Sequence, residues 1–145
     1  MATTIAIGNE PIVIERTFQA PGDRVWRALT DPRQMRAWYF PMMEDFRAEV
    51  GFETRLEKQD YVHIWKVITV VPKRKISYEW RLGGYPGNSL LTFELFEQMG
   101  WTWLRLTGDL YPELFRDNFV EGWTHYMGEL KAYIYDGPTK TGARR

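Results

Sequence analysis

Apolar and polar positions change rhythm along the chain, and each change marks an element. From Ile12 to Phe18 the run IVIERTF is β-branched and aromatic with partial alternation, which predicts a strand. In VWRALTDPRQMRAWY, Val25, Trp26 and Leu29 then recur at i, i+1, i+4, and Met35, Trp38 and Tyr39 at i, i+3, i+4, which are helical spacings. Pro21 fits a first helical position and Asp23 adds a favourable charge to the first turn. Pro32 disfavours helical geometry in Asp31, so the first helix should stop near Thr30. Asp31 then reads as an N-cap, Pro32 as the first residue and Gln34 as the third, a capping-box pattern that launches a second helix. Two short helices with one shared apolar side are predicted, ended by Phe40-Pro41.

From Met42 to Leu110 no helical period recurs. Strands are expected near Asp45 to Glu49, Phe52 to Lys58, Tyr61 to Val71, Lys75 to Arg81, Ser89 to Glu97 and Trp101 to Leu110. The links are short: Val50-Gly51, Gln59-Asp60, Pro72-Lys73-Arg74, GGYPGN and Gln98-Met99-Gly100. Short links make antiparallel neighbours, because a parallel crossover needs a dozen residues or more. With the first strand this gives about seven, as one meander plus a return.

Pro112 opens the longest helical pattern, Glu113 to about Tyr135, in which Phe115, Phe119, Trp123, Tyr126, Leu130, Tyr133 and Ile134 recur at three- and four-residue spacing. Gly122 falls on that apolar face. A mid-helix glycine costs about 1 kcal/mol against alanine, so either close approach of another element or room for a ligand should compensate. Gly137-Pro138 is a stop signal, and 137–145 is expected to be a mobile tail. The pattern is that of a single α+β domain with its core in 12–135. A curved antiparallel sheet packs on the long C-terminal helix, and two short helices follow the first strand.

Alternation assigns the faces. Leu91, Phe93 and Leu95, Leu104 and Leu106, and Ile76, Tyr78 and Trp80 should face the helix, with Trp103, Arg105 and Asp109 pointing away. YVHIWKVITVV is ambiguous, because both of its alternating sets are mostly apolar. If the set with Trp65 lay outside near Trp101 and Trp103, the outer face would carry a patch suited to a homodimer or a partner protein.

Composition narrows the chemistry. The 145 residues balance 19 basic against 19 acidic side chains, so no global field favours nucleic acid or anionic membranes. Cysteine is absent, which removes disulfides, thiolate metal sites and thiol catalysis. No segment approaches the roughly 18 apolar residues that insert into a membrane, and a cytoplasmic location is expected. Aromatic residues make up 16% of the chain, seven of them Trp, enough to fill a core or line a concave site.

IERTFQAPGDRVWRALTDPRQMRAWYF resembles the opening of bacterial proteins similar to the C-terminal domain of the activator of the ninety-kilodalton heat-shock chaperone's ATPase, in the START-like (SRPBCC) superfamily. The family pattern is met by Ala20-Pro21, Val25-Trp26, Ala28 to Pro32 and Trp38. VITVVPKRKISYEW resembles its strand-turn-strand signature, SLLTFELFEQMGWTWLRLT its next hairpin, and Gly122-Trp123 the pair in its last helix. Departures are Val50-Gly51 in place of Gly-Gly, Trp65 where glycine is frequent, and Gly108 where a histidine often ends the last strand. Any role of that histidine is therefore not carried over. The resemblance implies a helix-grip fold and a largely apolar cavity between sheet and long helix, gated by the short helices. Superfamily members bind lipids, hormones or polyketides, and some are cyclases or hydroxylase components.

Catalytic constellations are weak. His63 and His125 are the two histidines, with no metal-ligand spacing. Ser77 and Ser89 lack a nucleophile elbow, and GGYPGN joins strands and does not open a helix. The residues expected to line a ligand site are Trp26, Leu29 and Trp38 from the short helices, Tyr78, Trp80, Phe93 and Leu106 from the sheet, and Phe119, Trp123 and Tyr126 from the long helix. Tyr78, Trp80 and Tyr126 carry polar tips that could orient a small molecule. No cofactor, metal or catalytic residue is expected. The leading expectation is a non-enzymatic protein binding a small hydrophobic or amphipathic molecule. A chaperone-interacting module and a cyclase- or hydrolase-like enzyme are the alternatives.

Overall fold

In the computed structural model, which describes residues 10–58, 60–85, 87–109 and 116–143, the first element is β1 (Ile12–Phe18). Its burial alternates as the sequence predicts. The helices α1 (Gly22–Thr30) and α2 (Pro32–Trp38) come next, and β2 (Glu53–Lys58), β3 (Tyr61–Val71), β4 (Lys75–Leu82), β5 (Ser89–Gln98) and β6 (Trp101–Asp109) form the meander. All pairings are antiparallel in the order β1-β6-β5-β4-β3-β2, so β1 returns beside β6 and β2 is an edge. The helix α3 (Arg116–Ala143) packs against β1, α1 and α2. Pro112, Glu113 and Phe115, expected to open that helix, lie outside the described residues.

The expected strand Asp45 to Glu49 is not one. The segment is irregular and belongs to none of the six paired strands. Phe46 is nonetheless buried, against Phe52, Trp65 and Tyr78. Its apolar residues signalled burial, not pairing.

The junction of the short helices explains a second difference. Asp31 caps α2 by accepting from the Arg33 backbone N–H at 2.9 Å. Its own N–H, however, is already donated to the Arg27 carbonyl in the last turn of α1. The reciprocal half of a capping box therefore cannot form, and Gln34 Oε1 is buried without a partner among the described residues. Pro21 itself sits one residue before α1, in extended geometry.

At its far end α3 runs past Gly137-Pro138 to Ala143, beyond the stop the sequence signals. A proline at 138 cannot donate to the Ile134 carbonyl. Arg24 of α1 supplies that donor, its Nη2 bonding the Ile134 carbonyl at 2.8 Å while its guanidinium lies over the Tyr133 ring. Tyr135 Oη accepts from the Gln19 N–H at 2.9 Å. One turn of α3 is thus pinned to α1 and to the link between β1 and α1 by polar contacts as well as by packing.

The core lies between the concave face of the sheet, α1–α2 and α3. Leu91, Phe93, Leu95, Leu104, Leu106, Ile76 and Tyr78 all face it, as alternation predicts. Between Val67 and Thr69 the β3–β4 register shifts. Trp65 and Val67 point inward before that irregularity, and Val70 packs against the core after it. The inward position of Trp65, 1% exposed, removes it from any outer patch.

Candidate functional site

Rings from every layer meet under the N-terminal half of the described α3. Tyr39 is the hub. It stacks on Trp38 at 4.7 Å and on Trp65 at 5.4 Å, and meets Trp123 at 5.0 Å and Tyr126 at 5.1 Å. Trp123 reaches Phe93 at 5.5 Å and Phe119 at 6.4 Å, and Tyr78 reaches Phe93 at 6.1 Å. Of the expected lining residues, Trp38, Tyr78, Trp80, Phe93, Phe119, Trp123 and Tyr126 join this network, while Trp26, Leu29 and Leu106 belong to the surrounding core. The expected lining residues also differ in depth. Tyr78, Phe93, Leu106 and Trp123 are closed over by neighbours and form a floor. Trp80, Phe119 and Tyr126 are half-buried and form a rim.

Polar tips obey the same division. On the floor side, Trp38 donates its indole N–H to the Ala28 carbonyl at 2.8 Å, tying α2 to α1. The hydroxyls of Tyr39 and Tyr78 lie 3.4 Å apart. Burial pushes both phenols above their ordinary range, so both stay neutral. Trp65, stacked on Tyr39 and tilted against Tyr78, buries its indole N–H with no acceptor among the described residues. At the rim, Trp80 donates to His63 Nδ1 at 3.0 Å. Burial holds the His63 pKa below its ordinary value; a hydrogen bond to the Lys58 backbone opposes that, and the Lys58 charge reinforces it. Lys58 Nζ bonds the Tyr126 hydroxyl and lies 4.4 Å from the Phe40 ring centre and 4.6 Å from that of Tyr126. His63 is thus a neutral acceptor, while the exposed His125 lies tilted 5.8 Å from the ring of Tyr126.

Glycines record where the space is. A Cβ at Gly108 would come within 2.4 Å of the Phe119 ring. The ring therefore fills the place where the resemblance puts a histidine. A Cβ at Gly122 would meet nothing within 4 Å. Close approach of another element therefore does not explain that glycine, which lies one turn from both Phe119 and Tyr126.

On the opposite face of the sheet lies a groove of about 420 Å³ lined by Glu53, Thr54, Arg55, Ile64 and Arg81. It contains none of the expected lining residues. Among the described residues no three His, Asp or Glu side chains gather as a metal site, and no helix is long and apolar enough to cross a membrane.

Tyr39, Trp65, Lys58 and His63 were not among the lining residues expected from sequence. Tyr39 was visible on the α2 stripe beside Trp38, and Trp65 was hidden by the two-faced pattern of β3. Nothing local marks Lys58 or His63; their roles come from the β2–β3 register, which places Lys58 opposite Tyr61 and Leu56 opposite His63.

The family model described as "Activator of Hsp90 ATPase homolog 1-like protein" matches residues 19–135. The chain belongs to this family. Its architecture is the helix-grip fold implied by the resemblance, with six strands among the described residues where about seven were expected. Among solved structures it is similar to protein MLL2253 from Mesorhizobium loti, at 27% identity over 88% of this chain and 97% of that one, with a TM-score of 0.74. DynU16, from the dynemicin biosynthetic locus, is 22% identical over 90% of this chain with a TM-score of 0.77, and the chain spans 49% of its length. CalU16 from Micromonospora echinospora is 24% identical over 86% of this chain and 75% of that one, at a TM-score of 0.70. The last two likenesses concern the fold alone. No curated protein matches the sequence.

Proposed function

We propose that the aromatic cluster on the concave face binds a small apolar or amphipathic molecule. In this reading the molecule enters beside Gly122, parts the rim rings of Trp80, Phe119 and Tyr126 from the enclosed floor of Tyr78, Phe93, Leu106 and Trp123, and reaches the Trp65 indole. Trp26, Leu29 and Trp38 of the short helices form the wall. The observation that carries the reading is the indole N–H of Trp65. A buried donor left without an acceptor costs about 1–3 kcal/mol, and an acceptor atom on a bound molecule offsets that cost. The open space at Gly122 supports the same site. Membership of a helix-grip family fits it, because a curved sheet gripping a helix makes an apolar cleft with few polar groups.

Trp65→Phe tests the reading, since it keeps an aromatic ring and removes the donor. N-phenyl-1-naphthylamine, fluorescent when shielded from water, should bind the wild-type protein and be displaced by molecules that native mass spectrometry finds co-purifying. The variant should stay folded and release such a polar molecule more readily, by about fivefold or more. Absence of both probe binding and any co-purifying molecule overturns the proposal.

A second reading, a module acting on a chaperone, draws on the family description and on the outer face, where Phe96, Trp101 and Trp103 are exposed. Phe96 and Trp103 lie opposite each other on β5 and β6, with Arg105 over both rings. Stimulation of the cognate chaperone's ATPase that is lost in Trp103→Ala supports it; no stimulation removes it.

A further inference from the structure

Lys58 is the feature of the rim that packing does not explain. It is half-buried on the edge strand β2, at the hairpin that leads into β3. Its ammonium group is held between the faces of Phe40 and Tyr126 and bonded to the Tyr126 hydroxyl. Among the described residues, no carboxylate pairs with it. The exposed lysine Lys73, by contrast, has Asp23, and the rings under Arg105 on the outer face come with Glu15 and Glu94. The neighbouring acid, Glu57, lies on the opposite side of the strand and is exposed. Burying a cation in part, against rings that give it only a weak electrostatic partner, leaves an attraction for an anion unused.

The remaining polar groups of the rim do not compete for that anion. His63 Nδ1 is occupied as acceptor by the Trp80 N–H, and burial beside the Lys58 charge keeps the imidazole neutral. Among the described residues the rim therefore presents one fixed positive charge at the edge of an apolar, ring-lined surface. That is the complement of a molecule with an aromatic body and a single anionic head.

We propose that the ligand is an anionic aromatic amphiphile, a carboxylate or sulfonate on a ring system, whose head is held by Lys58 and whose rings lie on the aromatic cluster. This rests on the ligand-binding reading above and adds the charge and its recognising residue. A charge-assisted hydrogen bond is stronger than a neutral one and contributes a tenfold or larger factor in affinity, on the order of 10 to 100.

The full chain is titrated with 8-anilinonaphthalene-1-sulfonate and with N-phenyl-1-naphthylamine, which differ by the sulfonate, and fluorescence gives both dissociation constants. The sulfonate is expected to bind at least tenfold more tightly. Lys58→Met keeps the aliphatic stem over Phe40 and should abolish that preference by weakening the sulfonate alone. Lys58→Arg, which keeps the charge, should retain most of it, and thermal melting confirms that both variants are folded. Equal affinity for the two probes in the wild-type protein, or equal weakening of both in Lys58→Met, overturns this inference while leaving the binding site standing. Failure of both probes to bind overturns the site and the inference together.

Discussion

The floor and the rim of the aromatic cluster are built from the same residue types and behave as different materials. On the floor each ring is enclosed by other rings, and the Tyr39–Tyr78 hydroxyl pair answers polarity from within the protein. At the rim Trp80 and Tyr126 keep one side open, and their tips meet His63 and Lys58. Aromatic content alone therefore does not define a binding surface. What separates a core ring from a recognition ring is whether one of its sides is still open.

The sharpest test of that contrast is truncation on each side. Trp123→Ala removes a ring in contact with Trp38, Tyr39, Phe93, Phe119 and Tyr126. A loss of about 3–5 kcal/mol is expected, lowering the melting midpoint by on the order of 10 °C. Tyr126→Phe, a rim change, should cost less than about 1 kcal/mol. Equal losses in calorimetry would erase the distinction between floor and rim.

A middle-sized effect is expected where the two regions touch. Gly108→Ala forces its methyl group against the Phe119 ring and should destabilise by about 1–3 kcal/mol. Phe119→Leu on the same background should recover part of that loss, so that the double-mutant cycle shows favourable coupling in chemical denaturation. Simple additivity would mean the ring moves aside at no cost, and the rim is looser than its contacts show.

The smallest effect is in the pH dependence of stability. His63 binds protons less readily in the folded protein than in the unfolded chain, because burial disfavours its charged form. Between its depressed folded pKa and the ordinary value of 6.5, the unfolded state carries more protons, so stability rises with pH. The contribution is complete above that ordinary value and is lost as the pH falls through the window below it. Protonation also ends acceptance from the Trp80 indole. Melting between pH 7.5 and 5.5 should fall in the wild-type protein and fall less in His63→Gln, which accepts the same hydrogen bond without titrating. Identical profiles would show that His63 is solvated and not part of the rim.

Much of this architecture was legible before any tertiary contact was known. In β6 the alternation of Trp101, Trp103 and Arg105 with Thr102, Leu104 and Leu106 is the alternation found in space, because one face is wet and the other dry. The helix pair was equally readable, since Pro32 forces the break and Asp31 caps the second helix. The Phe93, Trp123 and Tyr126 convergence could be anticipated because strand and helix periods place apolar residues on single faces. Where both alternating sets of a strand are apolar the signal fails, and Trp65 on β3 could not be assigned until the shifted register was seen. Asp45 to Glu49 misled for a related reason, because an apolar anchor such as Phe46 needs burial but not a strand partner.

The order of elements, the short antiparallel links and the family were all settled along the chain, because they rest on local backbone preferences and on the period of apolar residues. The packing of one layer on another settled which rings are enclosed and which stand at an opening, that Phe119 fills the space over Gly108, and that Lys58 reaches Tyr126 from 68 residues away. Those outcomes depend on strand register and on how closely the layers approach. No linear pattern encodes such distances, so only the folded molecule could reveal them.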